Sequence, residues 1–138
     1  MELEAMSELK KLADSMIPFG RFIGVEFVSA EKDRVVARLE VTPELCGHPE
    51  VINGGAIMAF ADTVGAAGAV INLPEGMWTT TLESKTNFVA PVPLGTVLTA
   101  ETTPIHRGRR TMIWQTRLTT SKGKLAAVVV QTQMVLEK

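Results

Sequence analysis

The sequence predicts an α+β domain built on an antiparallel sheet, and three patterns predict it. Residues 34–41 set Val35, Ala37, Leu39 and Val41 in alternation with Val36, Arg38 and Glu40, the two-residue period of a strand with one buried face. Residues 54–71, GGAIMAFADTVGAAGAVI, are apolar or small on every side, as in a helix enclosed by protein. From residue 79 onward, Thr-, Val- and Phe-rich runs alternate with short links bearing Gly or Pro, the layout of consecutive antiparallel strands.

The 138 residues are read as one domain, 1–138, long enough to bury a core without disulfides or metals. Fourteen basic and 15 acidic residues leave a net charge of -1, which gives no bulk electrostatic reason to expect nucleic acid or an anionic membrane as partner. Cys46 is the lone cysteine, and with only His48 and His106 beside it the chain lacks the ligands of a structural zinc site; no metal is expected. The amino terminus mixes Glu and Lys through its apolar residues instead of presenting a basic start and a continuous apolar run, so a cytoplasmic location is expected. The stretch 54–71 is of marginal length for a bilayer and holds four glycines and Asp62, so it is read as a buried helix.

Taken in order, Leu3, Met6, Leu9, Ala13, Met16 and Ile17 recur at three- and four-residue steps and predict an amphipathic helix over 1–18, stopped by Pro18 and Gly20. Residues 22–28 are read as a strand entering a turn at Glu31-Lys32-Asp33, and 34–41 as its partner. Residues 42–53, with Pro43, Gly47 and Pro49, form a connection into the helix at Gly54, which Asn72, Pro74 and Gly76 end. Strands are then expected at 79–89, 97–103, 111–119 and 125–136, with turns at Pro91 to Gly95, Arg107-Gly108-Arg109 and Ser121-Lys122-Gly123.

Asp62 is the residue that most needs a reason. An ionised carboxylate in an otherwise apolar helix loses hydration worth several kcal/mol unless partners or a wet cleft compensate. It is either a catalytic carboxylate or one satisfied by a backbone group or a hydroxyl such as Thr63. Gly54 and Gly55 open the same helix, where unpaired N–H groups and the positive end of the helix dipole face outward. They either receive a carbonyl oxygen or merely permit a tight turn. Eight residues separate Gly54 from Asp62, about 12 Å along the axis, so both can line one cleft.

The stretch Val51-Ile52-Asn53-Gly54-Gly55-Ala56-Ile57-Met58-Ala59-Phe60-Ala61-Asp62-Thr63 resembles the signature of hotdog-fold acyl-CoA thioesterases of the phenylacetate-pathway and 4-hydroxybenzoyl-CoA type, which read His-Gly-Gly and then Asp or Glu. Thr81-Leu82-Glu83-Ser84-Lys85-Thr86-Asn87-Phe88-Val89-Ala90-Pro91 with Gly95 is similar to the family's following strand, and Gly108-Arg109-Arg110-Thr111 to its next hairpin. The resemblance runs from about residue 20 to the end. It implies an antiparallel sheet wrapped around the long helix, homodimers or homotetramers, and active sites at the dimer interface. It further implies hydrolysis of an acyl-CoA to a free acid and coenzyme A, with Asp62 as general base or nucleophile. The Gly54 N–H of the facing subunit would polarise the carbonyl, and the Thr81 hydroxyl would orient water. No cofactor is implied, coenzyme A being part of the substrate.

The chain departs from the family where Asn53 replaces the usual His; Asn53 can position a thioester but cannot act as acid or base. Gly47 and Ala66 likewise stand where relatives carry Gln or Asn and Ser or Thr. His48 is read as a solvated loop residue. His106, Arg107, Arg109 and Arg110 form the densest cationic cluster and are candidates, with Gly55, for substrate binding through coenzyme A phosphates. Met58, Phe60, Trp78, Phe88, Met112 and Trp114 are candidate acyl-pocket or core residues. A non-catalytic acyl-CoA-binding or assembly module is the alternative from another class; a hotdog hydratase or dehydratase would need a catalytic His that no motif here supplies.

Overall fold

The computed structural model describes residues 8, 9, 11–13, 15 and 18–138. Its elements are α1 (Pro18–Ile23), β1 (Glu26–Glu31), β2 (Arg34–Glu40), a 3-10 turn at Pro43–Leu45, α2 (Gly54–Ile71), β3 (Met77–Phe88), β4 (Val97–Arg107), β5 (Thr111–Thr119) and β6 (Leu125–Glu137). All strand pairs are antiparallel, in the order β1-β2-β4-β5-β6-β3, which leaves β1 and β3 as edges. Helix α2 touches all six strands. Six strands side by side span more than about 20 Å, and an 18-residue helix, about 27 Å long, is long enough to pack across all of them.

The predicted patterns account for most of this. Val35, Ala37, Leu39 and Val41 are all buried, continued by Leu98 and Ala100 on β4 and Leu118 on β5. Helix α2 runs over the predicted 54–71. Asn53, in extended conformation, caps its start by accepting a hydrogen bond from the Gly55 N–H at 2.7 Å. Two glycines inside the helix, each worth about 1 kcal/mol less than Ala in helix propensity, let it lie close on the sheet. A Cβ on Gly68 would stand 2.9 Å from the Trp114 ring, and one on Gly65 would run into the Gln131 amide.

The structure corrects the sequence reading at four places. Gly20, expected with Pro18 to stop the first helix, lies inside the helical segment Pro18–Ile23, which Pro18 opens because its fixed φ suits a first helical position. The stop is Gly24, at φ +96, with the Gly24 and Val25 N–H groups both returning to the Gly20 carbonyl. Phe22 and Ile23 are therefore helical, and the first strand starts only at Glu26. Of the predicted helix over 1–18, residues 1–7, 10, 14, 16 and 17 lie outside the described residues, and the described ones before Pro18 are helical.

Strand β4 continues past Thr103 to Arg107. Its pairing with β2 ends at Thr102, so Pro104 removes no donor from that side, and a bulge at Ile105 carries the strand on. Last, α2 is not enclosed on every side. Ile57, Phe60, Ala61, Val64 and Gly65 are buried, but Gly55 and Met58 are exposed and Ala59, Asp62 and Ala66 half-buried, which leaves an open stripe along one face.

Candidate active site

Asp62 lies on that open stripe. Below it, β3 and β6 pair with Thr81 opposite Gln133 and Ser84 opposite Gln131. The bulge at Leu82 shifts the side-chain alternation by one, so that Thr79 and Thr81 before it and Ser84 and Thr86 after it all take the more buried side of β3. Thr81 Oγ1 donates to Asp62 Oδ1 at 2.7 Å, and Gln131 Nε2 donates to the same oxygen at 3.2 Å. Gln131 and Gln133 are buried side by side and joined by an Nε2 to Oε1 bond of 3.0 Å; Gln133 Nε2 donates to Thr79 Oγ1 at 3.1 Å. Thr63, considered above as a partner of the carboxylate, instead donates to the Ala59 carbonyl.

Thr81 was legible as a candidate; Gln131 and Gln133 were missed. The signal lay in parity. Ala127, Val129 and Val135 mark the inward positions of β6, and both glutamines share them.

The other predicted residues fall into two groups, at opposite ends of α2. At its start, Gly54 lies under the Phe88 ring, whose nearest atom would be 3.1 Å from a Cβ there. The Asn53 side-chain oxygen Oδ1 accepts from the Gly55 N–H, so Gly55 is spent on the cap. Among the described residues no hydrogen bond takes up the Gly54 N–H. Gly54 lines a cleft with Ile52, Ile57 and Phe88 to Pro91, whereas Asp62 lines a separate cavity of about 90 Å³ with Leu12, Phe27, Thr63, Ala66, Ala67 and Val70. Within one chain they do not share the single cleft expected from their spacing.

At the far end, Arg107 Nη1 pairs with Asp33 at 2.7 Å and reaches the Lys32 carbonyl and Asn72 Oδ1, each at 3.3 Å. His106, Arg109 and Arg110 are exposed beside it. Asn72 follows α2 directly, so this cluster stands about 15 Å along the helix axis from Asp62. Phe60, Met112 and Trp114 belong to the core, while Met58, Trp78 and Phe88 are exposed. His48 is exposed in the loop before α2. Among the described residues no three His, Cys, Asp or Glu side chains converge.

One long helix packed against all six strands of a single antiparallel sheet, with a carboxylate halfway along the helix and, among the described residues, an unbonded N–H at its start, is the framework of a hotdog fold. Comparison with known proteins agrees. The Thioesterase superfamily profile matches residues 50–127. A 1,4-dihydroxy-2-naphthoyl-CoA hydrolase of Listeria monocytogenes is 31% identical over 106 residues, covering 77% of this chain and 85% of that protein. Among solved structures, a thioesterase from Haemophilus influenzae superposes with TM-score 0.82 at 29% identity, over 86% of this chain and 82% of its own. A Streptococcus mutans protein bound to acetyl-CoA does so with TM-score 0.78 at 25% identity, over 85% and 92%. This chain belongs to the Thioesterase superfamily. The matched segment contains Asn53, Gly54, Asp62 and Thr81 but ends before Gln131.

Proposed function

We propose that the protein hydrolyses acyl-CoA thioesters to a free carboxylic acid and coenzyme A, acting as a homodimer or a dimer-based tetramer. The observation that carries the reading is the Asp62 carboxylate, held through Oδ1 by Thr81 and Gln131, with no donor on Oδ2 among the described residues. A carboxylate restrained on one oxygen and open on the other suits a base or a nucleophile.

In the base route, water attacks the thioester carbon while Asp62 takes its proton. The carbonyl oxygen gains charge against the Gly54 N–H of the partner, and collapse expels thiolate, which is then protonated. In the nucleophile route, Asp62 attacks directly, thiolate leaves, and water cleaves the resulting anhydride. Thiolate is a good leaving group in both. The small cavity beside Asp62, whose walls include Leu12, Phe27, Ala66, Ala67 and Val70, offers apolar contact to the start of an acyl chain.

Two observations support the dimer. Gly54 and Asp62 of one chain open on different cavities, which favours a carbonyl held between Gly54 of one subunit and Asp62 of the other. The twelve-residue edge of β3 offers an unpaired ladder, flanked by exposed Leu82, Phe88 and Val89. Two such edges meeting antiparallel would bring the Thr81 half of one strand beside the Phe88 half of the other. Because Thr81 holds Asp62 and Phe88 covers Gly54, each carboxylate would then face the other subunit's helix start.

The test offers purified protein short, medium, aromatic and hydroxylated acyl-CoAs and follows thiol release by wild type and Asp62→Asn. The expected result is turnover of at least one class by wild type and a kcat lower by about 10²- to 10⁴-fold in the variant. No turnover of any acyl-CoA, or an unchanged rate in Asp62→Asn, would overturn the reading; binding without turnover would identify an acyl-CoA-binding module instead.

A further inference from the structure

We propose that Gln131, seated against the helix by Gly65, is a positioning residue that fixes the Asp62 carboxylate and makes Oδ2 its reacting oxygen. The inference rests on the hydrolytic reading above and deepens it. Two adjacent inward positions of β6 carry amides where the rest of that face is apolar, and buried amides are costly unless bonded. Both N–H groups of Gln131 are used, one on Asp62 Oδ1 and one on Gln133 Oε1. Exchanging the amide's nitrogen and oxygen would place three acceptor oxygens together, so the network itself fixes its orientation.

Thr81 alone cannot do this work. Its hydroxyl has one proton and two acceptors in reach, Asp62 Oδ1 at 2.7 Å and Gln133 Oε1 at 2.6 Å. Whenever it turns to Gln133, Gln131 is the donor left on Oδ1. Gln131 also keeps its place at a cost, since its own Oε1 is buried without a partner among the described residues. The amide is therefore placed for its donors rather than for its own satisfaction.

Gly65 supplies the seat. It lies three residues past Asp62 on the helix, and a Cβ there would fall inside the contact distance of Gln131 Oε1 and Cδ and 2.9 Å from Nε2. A side chain at 65 would evict the amide from the carboxylate. With both donors on Oδ1, attack or proton transfer falls to Oδ2.

The test uses Gln131→Met, which keeps size but has no donor, and Gly65→Ala, assayed on the fastest acyl-CoA. Each should lower kcat by about 10- to 100-fold with KM within about twofold, the signature of a misplaced reacting group. Gly65→Ala added to Gln131→Ala should cost nothing more, because the vacated space admits the methyl. A loss confined to KM, or additive effects at the two sites, would overturn the proposal. The chain has three aspartates, Asp14, Asp33 and Asp62, so Asp carboxyl ¹³C signals are assignable through Asp62→Asn. The Asp62 signal should move in Gln131→Met while the other two stay; an unmoved signal overturns the clamp whether or not wild type turns over any acyl-CoA. Should Gln131→Met not fold, Gln131→Asn, which keeps an amide too short to reach Asp62, takes the same readouts.

Discussion

The two ends of helix α2 are built in opposite ways. Its C-terminal end is closed: Asn72 donates to the Lys32 and Gly68 carbonyls, and Arg107 ties Asn72, Lys32 and Asp33 together. Its N-terminal end is open, with an unclaimed N–H at Gly54 beneath an exposed Phe88. Helix ends leave backbone groups unsatisfied in any protein, and a well-capped end is a structural joint. An end with one capped N–H and, among the described residues, one free, next to a sheet edge, is the end to which the proposed reaction assigns the carbonyl oxygen. The same contrast separates the cationic cluster into a fastener, Arg107, and exposed side chains, His106, Arg109 and Arg110.

The variant that strikes the open end hardest is Gly54→Pro. Asn53 already has the extended φ and ψ that a residue before proline requires, and the first helical position tolerates proline because no helical bond uses its N–H. The substitution thus deletes the proposed carbonyl donor and leaves the helix. The expected loss in kcat is about 10²- to 10³-fold, with little change in melting temperature. Gly54→Ala serves as control for the crowding of Phe88, which is exposed and can swing away; equal losses in both variants would assign the effect to crowding and remove the donor role.

At the closed end the expected effects are smaller and of a different kind. Arg109→Ala with Arg110→Ala should raise KM for acyl-CoAs about fivefold, the scale of exposed charge pairs, and leave phosphate-free acyl-pantetheine substrates unaffected. Arg107→Ala should leave KM alone and lower thermal stability slightly, since its partner Asp33 is largely exposed. A KM increase for both substrate types would break the assignment to phosphates.

Legibility in the sequence followed the same divide between local and distant causes. Alternation in 34–41 and the small-residue helix at 54–71 are local patterns, and both elements formed where they were read. Gly20 was read as a stop yet lies inside a helical segment, because such a segment ends at the glycine that takes a positive φ, here Gly24. Asp62 and Thr81 were legible because one is anomalous in its helix and the other sits in a recognisable strand. Gln131 carried only a parity cue, and its meaning comes from Asp62, 69 residues earlier in the chain. The free donor was also half-visible: Gly54 and Gly55 read alike in sequence, and only the Asn53 cap distinguishes them.

That cap gives the smallest and most specific prediction about the open end. Asn53 replaces the histidine usual in similar thioesterases, and in this structure its side-chain oxygen serves the Gly55 N–H at 2.7 Å. Asn53→Ala should therefore cost about 1 kcal/mol of stability, read as a lower denaturation midpoint. Asn53→Asp, which retains an acceptor at the cap, should keep wild-type stability. If the residue only caps, kcat should fall no more than helix fraying explains and should recover in Asn53→Asp. A large kcat loss in both variants would instead mean that the Asn53 amide nitrogen, which the cap leaves free, touches the substrate, and the division of labour between Asn53 and Gly54 would have to be redrawn.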